Sequence, residues 1–138
     1  MVLALAARAA NAGSATTNLP VTATVQNACS ASVSPIALDT YTAGTGSVTG
    51  SAAITVKCSP GLAFKVELGP GATPGGSISQ RLLRNGSQLL QYNLYTTSDL
   101  RDGLLTTLTV FAEVPDNAMN RLATPSLYSD LVTVTITY

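Results

Sequence analysis

At 138 residues the chain is one domain with room for a real core, and 7 basic against 7 acidic side chains leave a formal net charge of zero. Charged residues are only 10 % of the total, so there is no basic patch to neutralise phosphates. This argues against nucleic-acid binding and against attraction to an anionic membrane. Threonine, alanine and leucine are the commonest residues, serine, glycine and valine come next, and tryptophan is absent, the composition of an all-β surface protein whose weak self-repulsion suits packing against its own copies.

Residues 1–12 stand apart. Met1-Val2-Leu3-Ala4-Leu5-Ala6-Ala7 is small and apolar, and Ala10-Asn11-Ala12 fits a small-x-small cleavage site. This reads as the remnant of a secretory signal peptide, cut after Ala12 or Ala15; a short Ala/Leu helix is the alternative. No stretch is long enough to span a membrane as a helix. Residues 13–28 form an N-terminal extension, polar at first and then alternating, with Leu19, Val21, Ala23 and Val25 on one side. Residues 29–138 are the domain proper.

Within that domain Cys29, Ala31 and Val33 alternate until Pro35, and Ile36, Leu38 and Tyr41 lie in a short extended piece. A turn at 43–47 precedes a strong strand with Val48, Ala52, Ile54, Val56 and Cys58 on one parity. Ser59-Pro60-Gly61 breaks it, and Leu62, Phe64, Val66 and Leu68 follow, which predicts a hairpin. Residues 69–76 are a Gly/Pro loop, 78–83 a short strand, and Asn85-Gly86 a type I′ turn signal. Leu90, Tyr92 and Leu94 mark a strand, 99–103 a polar turn, and Leu108, Val110, Ala112 and Val114 another strand within 104–114. Residues 116–126 are a loop. The final strand covers 127–138, with Val132, Val134, Ile136 and Tyr138 on one face and threonines on the other. About seven strands at this spacing predict an antiparallel β-sandwich of immunoglobulin-like size.

Two patterns belong together. The chain ends on an alternating strand, an arrangement that risks an exposed sheet edge and an empty neighbouring slot. The extension carries a spare alternating strand. Residues 16–27 are therefore expected to act as a donor strand, Leu19, Val21, Ala23 and Val25 filling a groove of the preceding copy. Its acceptor edge would be the strand bearing Val132, Val134, Ile136 and Tyr138. The alternative is an ordinary first strand paired within its own domain. Cys29 and Cys58 would form one disulfide in an oxidising compartment, or remain two buried thiols in a reducing one.

The chemistry of common enzymes is missing. There is no histidine for a triad, and the Cys pair without histidine makes a zinc site improbable. Lys57 and Lys65 fall at outward strand positions. Asp39, Glu67, Asp99, Asp102, Glu113, Asp116 and Asp130 show no spaced carboxylate pair, and Asp99 and Asp102 around Arg101 read as a solvated turn. The glycine-rich 69–76 lacks the features of a phosphate loop, and Asn85-Gly86-Ser87, although a sequon, reads as a turn. The chain is read as a non-enzyme with no cofactor.

Several segments, taken in order, resemble the spore coat protein U domain family, which also supplies the subunits of archaic (Csu-type) chaperone–usher pili. They are Cys29 after the alternating extension, and Cys58 closing Ala53-Ile54-Thr55-Val56-Lys57. Next come Arg81-Leu82-Leu83-Arg84-Asn85-Gly86 followed by Leu90-Gln91-Tyr92-Asn93-Leu94-Tyr95, then Phe111-Ala112-Glu113-Val114-Pro115. The closing block is Tyr128-Ser129-Asp130 with the Thr/Val strand ending at Tyr138. Departures include Pro125-Ser126-Leu127 in place of the usual glycine before Tyr128, and no tryptophan near 96–107. The resemblance implies an incomplete immunoglobulin-like sandwich lacking its last strand. It implies a periplasmic chaperone and an outer-membrane usher as partners, head-to-tail polymers of copies, and export through the periplasm to a cell-surface pilus serving attachment or biofilm formation. A spore- or cell-coat protein of the same fold is the competing expectation. A pilus-tip adhesin fits less well with one domain and an N-terminal stripe.

Overall fold

The two most regular apolar alternations form the centre of the larger sheet. The structure is a computed structural model describing residues 12–96, 101–102 and 106–138. In it β2 (Val48–Cys58) and β7 (Thr106–Val114) pair antiparallel from Val48↔Val114 to Val56↔Thr106. Ile54, Val56, Leu108, Val110, Ala112 and Val114 all face inward and are buried, as period-2 burial requires. β1 (Cys29–Val33) flanks β2, β5 (Gln88–Thr96) flanks β7, and β4 (Arg81–Asn85) closes the far side, giving the order β1-β2-β7-β5-β4. The second sheet holds β3 (Ala63–Leu68) between β6 (Arg101–Asp102) and β8 (Val134–Thr137). Phe64, Val66, Val134 and Ile136 from this sheet meet Ile54, Val56, Cys58, Leu108 and Val110 from the other. A second cluster gathers Leu90, Tyr92 and Val114. The chain is an antiparallel, immunoglobulin-like β-sandwich.

Several local expectations are corrected. Ser59-Pro60-Gly61 is not a hairpin turn: β2 and β3 lie in different sheets, and the three residues carry the chain across the sandwich. The β4–β5 hairpin exists, but Asn85 pairs with Gln88, so Gly86 and Ser87 are its central residues. Gly86 has φ +56° and no non-glycine residue has positive φ among the described residues. That fits type II′ rather than type I′. The short strand expected at 78–83 begins only at Arg81. Of the expected polar turn at 99–103, Arg101 and Asp102 pair with β3, while Asp99 and Gly103 lie outside the described residues. So does residues 1–11, most of the proposed signal remnant. The 116–126 loop contains a 3₁₀ turn at Asn120–Leu122.

The final strand is regular only over Val134–Thr137, against β3. Pro70 cannot donate to a ladder, so the chain before it is held by spaced bonds instead. Gly69 N–H donates to the Thr133 carbonyl (2.9 Å), Ala72 N–H to the Leu131 carbonyl (2.8 Å), and Ser129 bridges both ways to Arg84 (2.9 and 3.1 Å). Among the described residues no helix is long and apolar enough to cross a membrane.

Candidate functional site: an apolar cleft and an unpaired extension

Residues 12–28 are exposed throughout and form no strand. Leu19 and Val21 are each 84 % exposed and Val25 92 %, and Ala23 is exposed with them. Alternation alone cannot order such a segment, because a lone strand has no ladder to satisfy its backbone. The extension meets the sandwich at Ala28, whose N–H donates to Ser59 Oγ (3.0 Å) and whose carbonyl accepts from Ser59 N–H (2.9 Å). The next residue, Cys29, is disulfide-bonded to its register partner Cys58.

An open cleft of about 320 Å³ runs between the two sheets. One wall is Val33, Ser34, Pro35, Ile36 and Leu38, the continuation of β1; the other is Asp130, Leu131, Val132 and Val134, leading into β8. Its floor includes Ile54, Val110, Ala112 and Leu94 from the large sheet. β1 and β8 each stand at the border of their sheet, so one edge of each has no partner among the described residues. Gly50 lets the first wall lie close to β2: a Cβ there would come within 2.6 Å of the Ala37 carbonyl oxygen. A second opening, about 590 Å³, lies between loops 38–43 and 123–128 and shares Leu38 and Leu83 with the first.

Of the residues expected at the acceptor edge, Val132 and Val134 line the cleft. Ile136 is half-buried opposite Val66, and Tyr138 lies exposed beyond the end of β8. Sequence reasoning missed the polar ties behind this edge. Asp130 Oδ1 accepts from Ala72 N–H (3.0 Å), Thr73 N–H (2.9 Å) and Thr73 Oγ1 (2.8 Å), and Oδ2 accepts from Tyr92 OH (2.6 Å). Burial pushes the Asp130 carboxyl up, but the hydrogen bonds from Tyr92, Thr73 and the Leu131 backbone outweigh it and hold it below its ordinary value. Burial, then the Asp130 carboxylate, push the Tyr92 phenol well above its ordinary range. The buried Arg81 guanidinium donates to the carbonyls of Gly69 (2.8 Å), Ile78 (2.9 Å) and Leu68 (3.0 Å), fixing the same loop from its other side.

Elsewhere the polar groups serve structure. Lys57 and Lys65 are exposed, Lys65 pairing with Glu67 (2.6 Å). Asn85 of the sequon donates its amide to the Leu127 carbonyl (2.6 Å). Among the described residues, no three His, Cys, Asp or Glu side chains gather as metal ligands would.

An apolar cleft beside an unpaired strand edge, with an exposed alternating extension on the same chain, is the setting in which the family comparison is decisive. The profile of the Spore Coat Protein U domain matches residues 15–104. The chain belongs to the Spore Coat Protein U domain family. The match takes in the extension from residue 15, the disulfide and strands β1 to β6 of the domain. Among solved structures, this Spore Coat Protein U domain resembles a chain of the CsuC-CsuE chaperone-tip adhesion subunit pre-assembly complex from archaic chaperone-usher Csu pili of Acinetobacter baumannii. The TM-score is 0.58 at 16 % identity, over 83 % of this chain and 41 % of that one. The likeness is one of fold, and the domain spans less than half the length of that chain. No curated protein matches the sequence.

Proposed function

We propose that this Spore Coat Protein U domain is a structural subunit of a chaperone–usher pilus, in which residues 16–27 of one copy fill the cleft of the preceding copy. The observation that carries the reading is a pair of unmet needs on one chain. Leu19, Val21 and Val25 are exposed on an unpaired segment, and an apolar cleft opens beside the unpaired edge of β8. Seating an extended strand there meets both. Each large apolar side chain buried contributes roughly 1.5–3 kcal/mol, and the backbone gains a ladder. Three such residues rival the whole stability of a small domain, about 5–15 kcal/mol. A filled subunit is therefore far more stable than an empty one, and a chaperone that lends a strand during export supplies what the cleft lacks. The role is structural rather than enzymatic, at the cell surface, in attachment or biofilm formation. A coat protein assembled by the same strand donation is the second reading, favoured by the family to which the domain belongs.

The test uses the oxidised domain without residues 13–27, to which a peptide of residues 16–27 is added while thermal unfolding is followed. A large rise in midpoint, abolished by Val21→Asp in the peptide, is expected. A domain that is already stable and ignores the peptide would sink the polymer reading.

A further inference from the structure

The cleft has two walls built in different ways. Val33 belongs to β1, and Ser34 N–H continues the pairing with β2 through the Ala53 carbonyl (3.1 Å). The opposite wall, at Asp130 to Thr133, lies outside any regular strand. It is held on one side only, by two backbone bonds from the 69–72 loop. That loop contains Pro70 and two glycines, so it has little shape of its own. A wall of this kind, with its other edge turned to an unfilled cleft, has nothing regular to keep it straight.

The Asp130 carboxylate makes good the deficit. It accepts three hydrogen bonds from Ala72 and Thr73 in the loop and one from Tyr92 on β5 in the opposite sheet. The loop is shaped around it: Gly71 has φ +94°, and any Cβ there would collide with Asp130 Oδ2. Leu131, the next residue, is exposed and gains nothing by burial that would fix its position. We propose that Asp130 is a positioning residue for strand capture: it ties the 130–133 wall to the 69–73 loop and to β5, holding the acceptor edge extended before a donor arrives. The inference rests on the donor-strand reading and adds which residue sets the rate. An edge that is extended only one-tenth of the time captures a strand about tenfold more slowly, because only the competent fraction binds.

The experiment uses the oxidised full chain carrying Val21→Asp, so that its own extension cannot compete, and a fluorescent peptide of residues 16–27. Three further variants are compared with this parent: Asp130→Asn, the milder Tyr92→Phe, and Asn120→Ala, which lies away from the cleft and lowers stability by another route. Association rate is read by stopped flow, and amide exchange at Gly69 and Ala72 reports the wall without any peptide. Expected are an association rate about tenfold lower for Asp130→Asn, a smaller loss for Tyr92→Phe, and the parent rate for Asn120→Ala. Faster exchange at Gly69 and Ala72 should accompany the first two variants only. Unchanged exchange at Gly69 and Ala72 in Asp130→Asn overturns the proposal whatever the peptide does. So does a rate that simply follows melting temperature across the variants. A parent that takes up no peptide overturns the donor-strand reading itself, and the role in capture with it, even where exchange shows the wall loosened.

Discussion

Pro115 follows β7 and has no N–H, so the ladder between β7 and β5 cannot run past Glu113↔Asn93 by backbone alone. The side chain of Asn120, fully buried, takes the place of the absent peptide. Its Oδ1 accepts from Gln91 N–H (2.7 Å), and its Nδ2 donates to the Gln91 carbonyl (2.9 Å) and the Pro115 carbonyl (2.8 Å). Asn120→Ala strands these groups and should cost about 2–3 kcal/mol, measured as a lower urea midpoint at unchanged slope. Asp130 and Asp116 give a pH dependence. Asp116 is held low by its bonds from Arg121, Tyr41 and the Gly44 backbone. Both carboxyls titrate lower folded than unfolded, so their contribution is complete above the ordinary carboxylate pKa of about 4 and is lost as pH falls below it. Acid titration of unfolding should show that loss, and Asp130→Asn should flatten it. None of these roles was legible in the sequence: a polar residue in a loop looks the same whether it meets water or a strand that lies far away along the chain.

Elements were legible where apolar alternation is long and strong. β2, β5 and β7 fall where Ile54-x-Val56, Leu90-x-Tyr92 and Leu108-x-Val110-x-Ala112 place them. Connections were less legible, because Ser59-Pro60-Gly61 serves a hairpin or a crossing equally well. What decides is which strands β3 pairs with, and these are β6 and β8, the latter some seventy residues on. The same holds for the cleft. The proposed donor stripe is a local pattern, whereas the cleft is made from residues 33–38 and 130–134 together. Gly50 offers a test at this scale. Gly50→Ala pushes a methyl group into the Ala37 carbonyl, and the first wall has to move away from β2. The variant should lose about 1–3 kcal/mol in urea unfolding and show a smaller rise in melting midpoint with the 16–27 peptide than the parent does.

For the molecule as a whole, the Cys29–Cys58 bond is placed at a junction. By the chain-entropy account, closing a loop of sequence separation 29 contributes about 3–4 kcal/mol, so reduction should lower the melting midpoint markedly. Its position has a mechanical consequence as well. Tension on the extension arrives at Ala28 and meets first the end of β1, a border strand only five residues long. Pulled from its end, such a strand unzips one rung at a time. The disulfide passes the load across to β2, which is ladder-bonded on both sides to β1 and β7. In the oxidised sandwich β2 can yield only by opening both of its ladders, to β1 and to β7, together. In a pull on the extension, reduction should convert one high-force rupture into an early, gentle peel of β1, and the domain would act as a link whose tensile strength is set by its redox state.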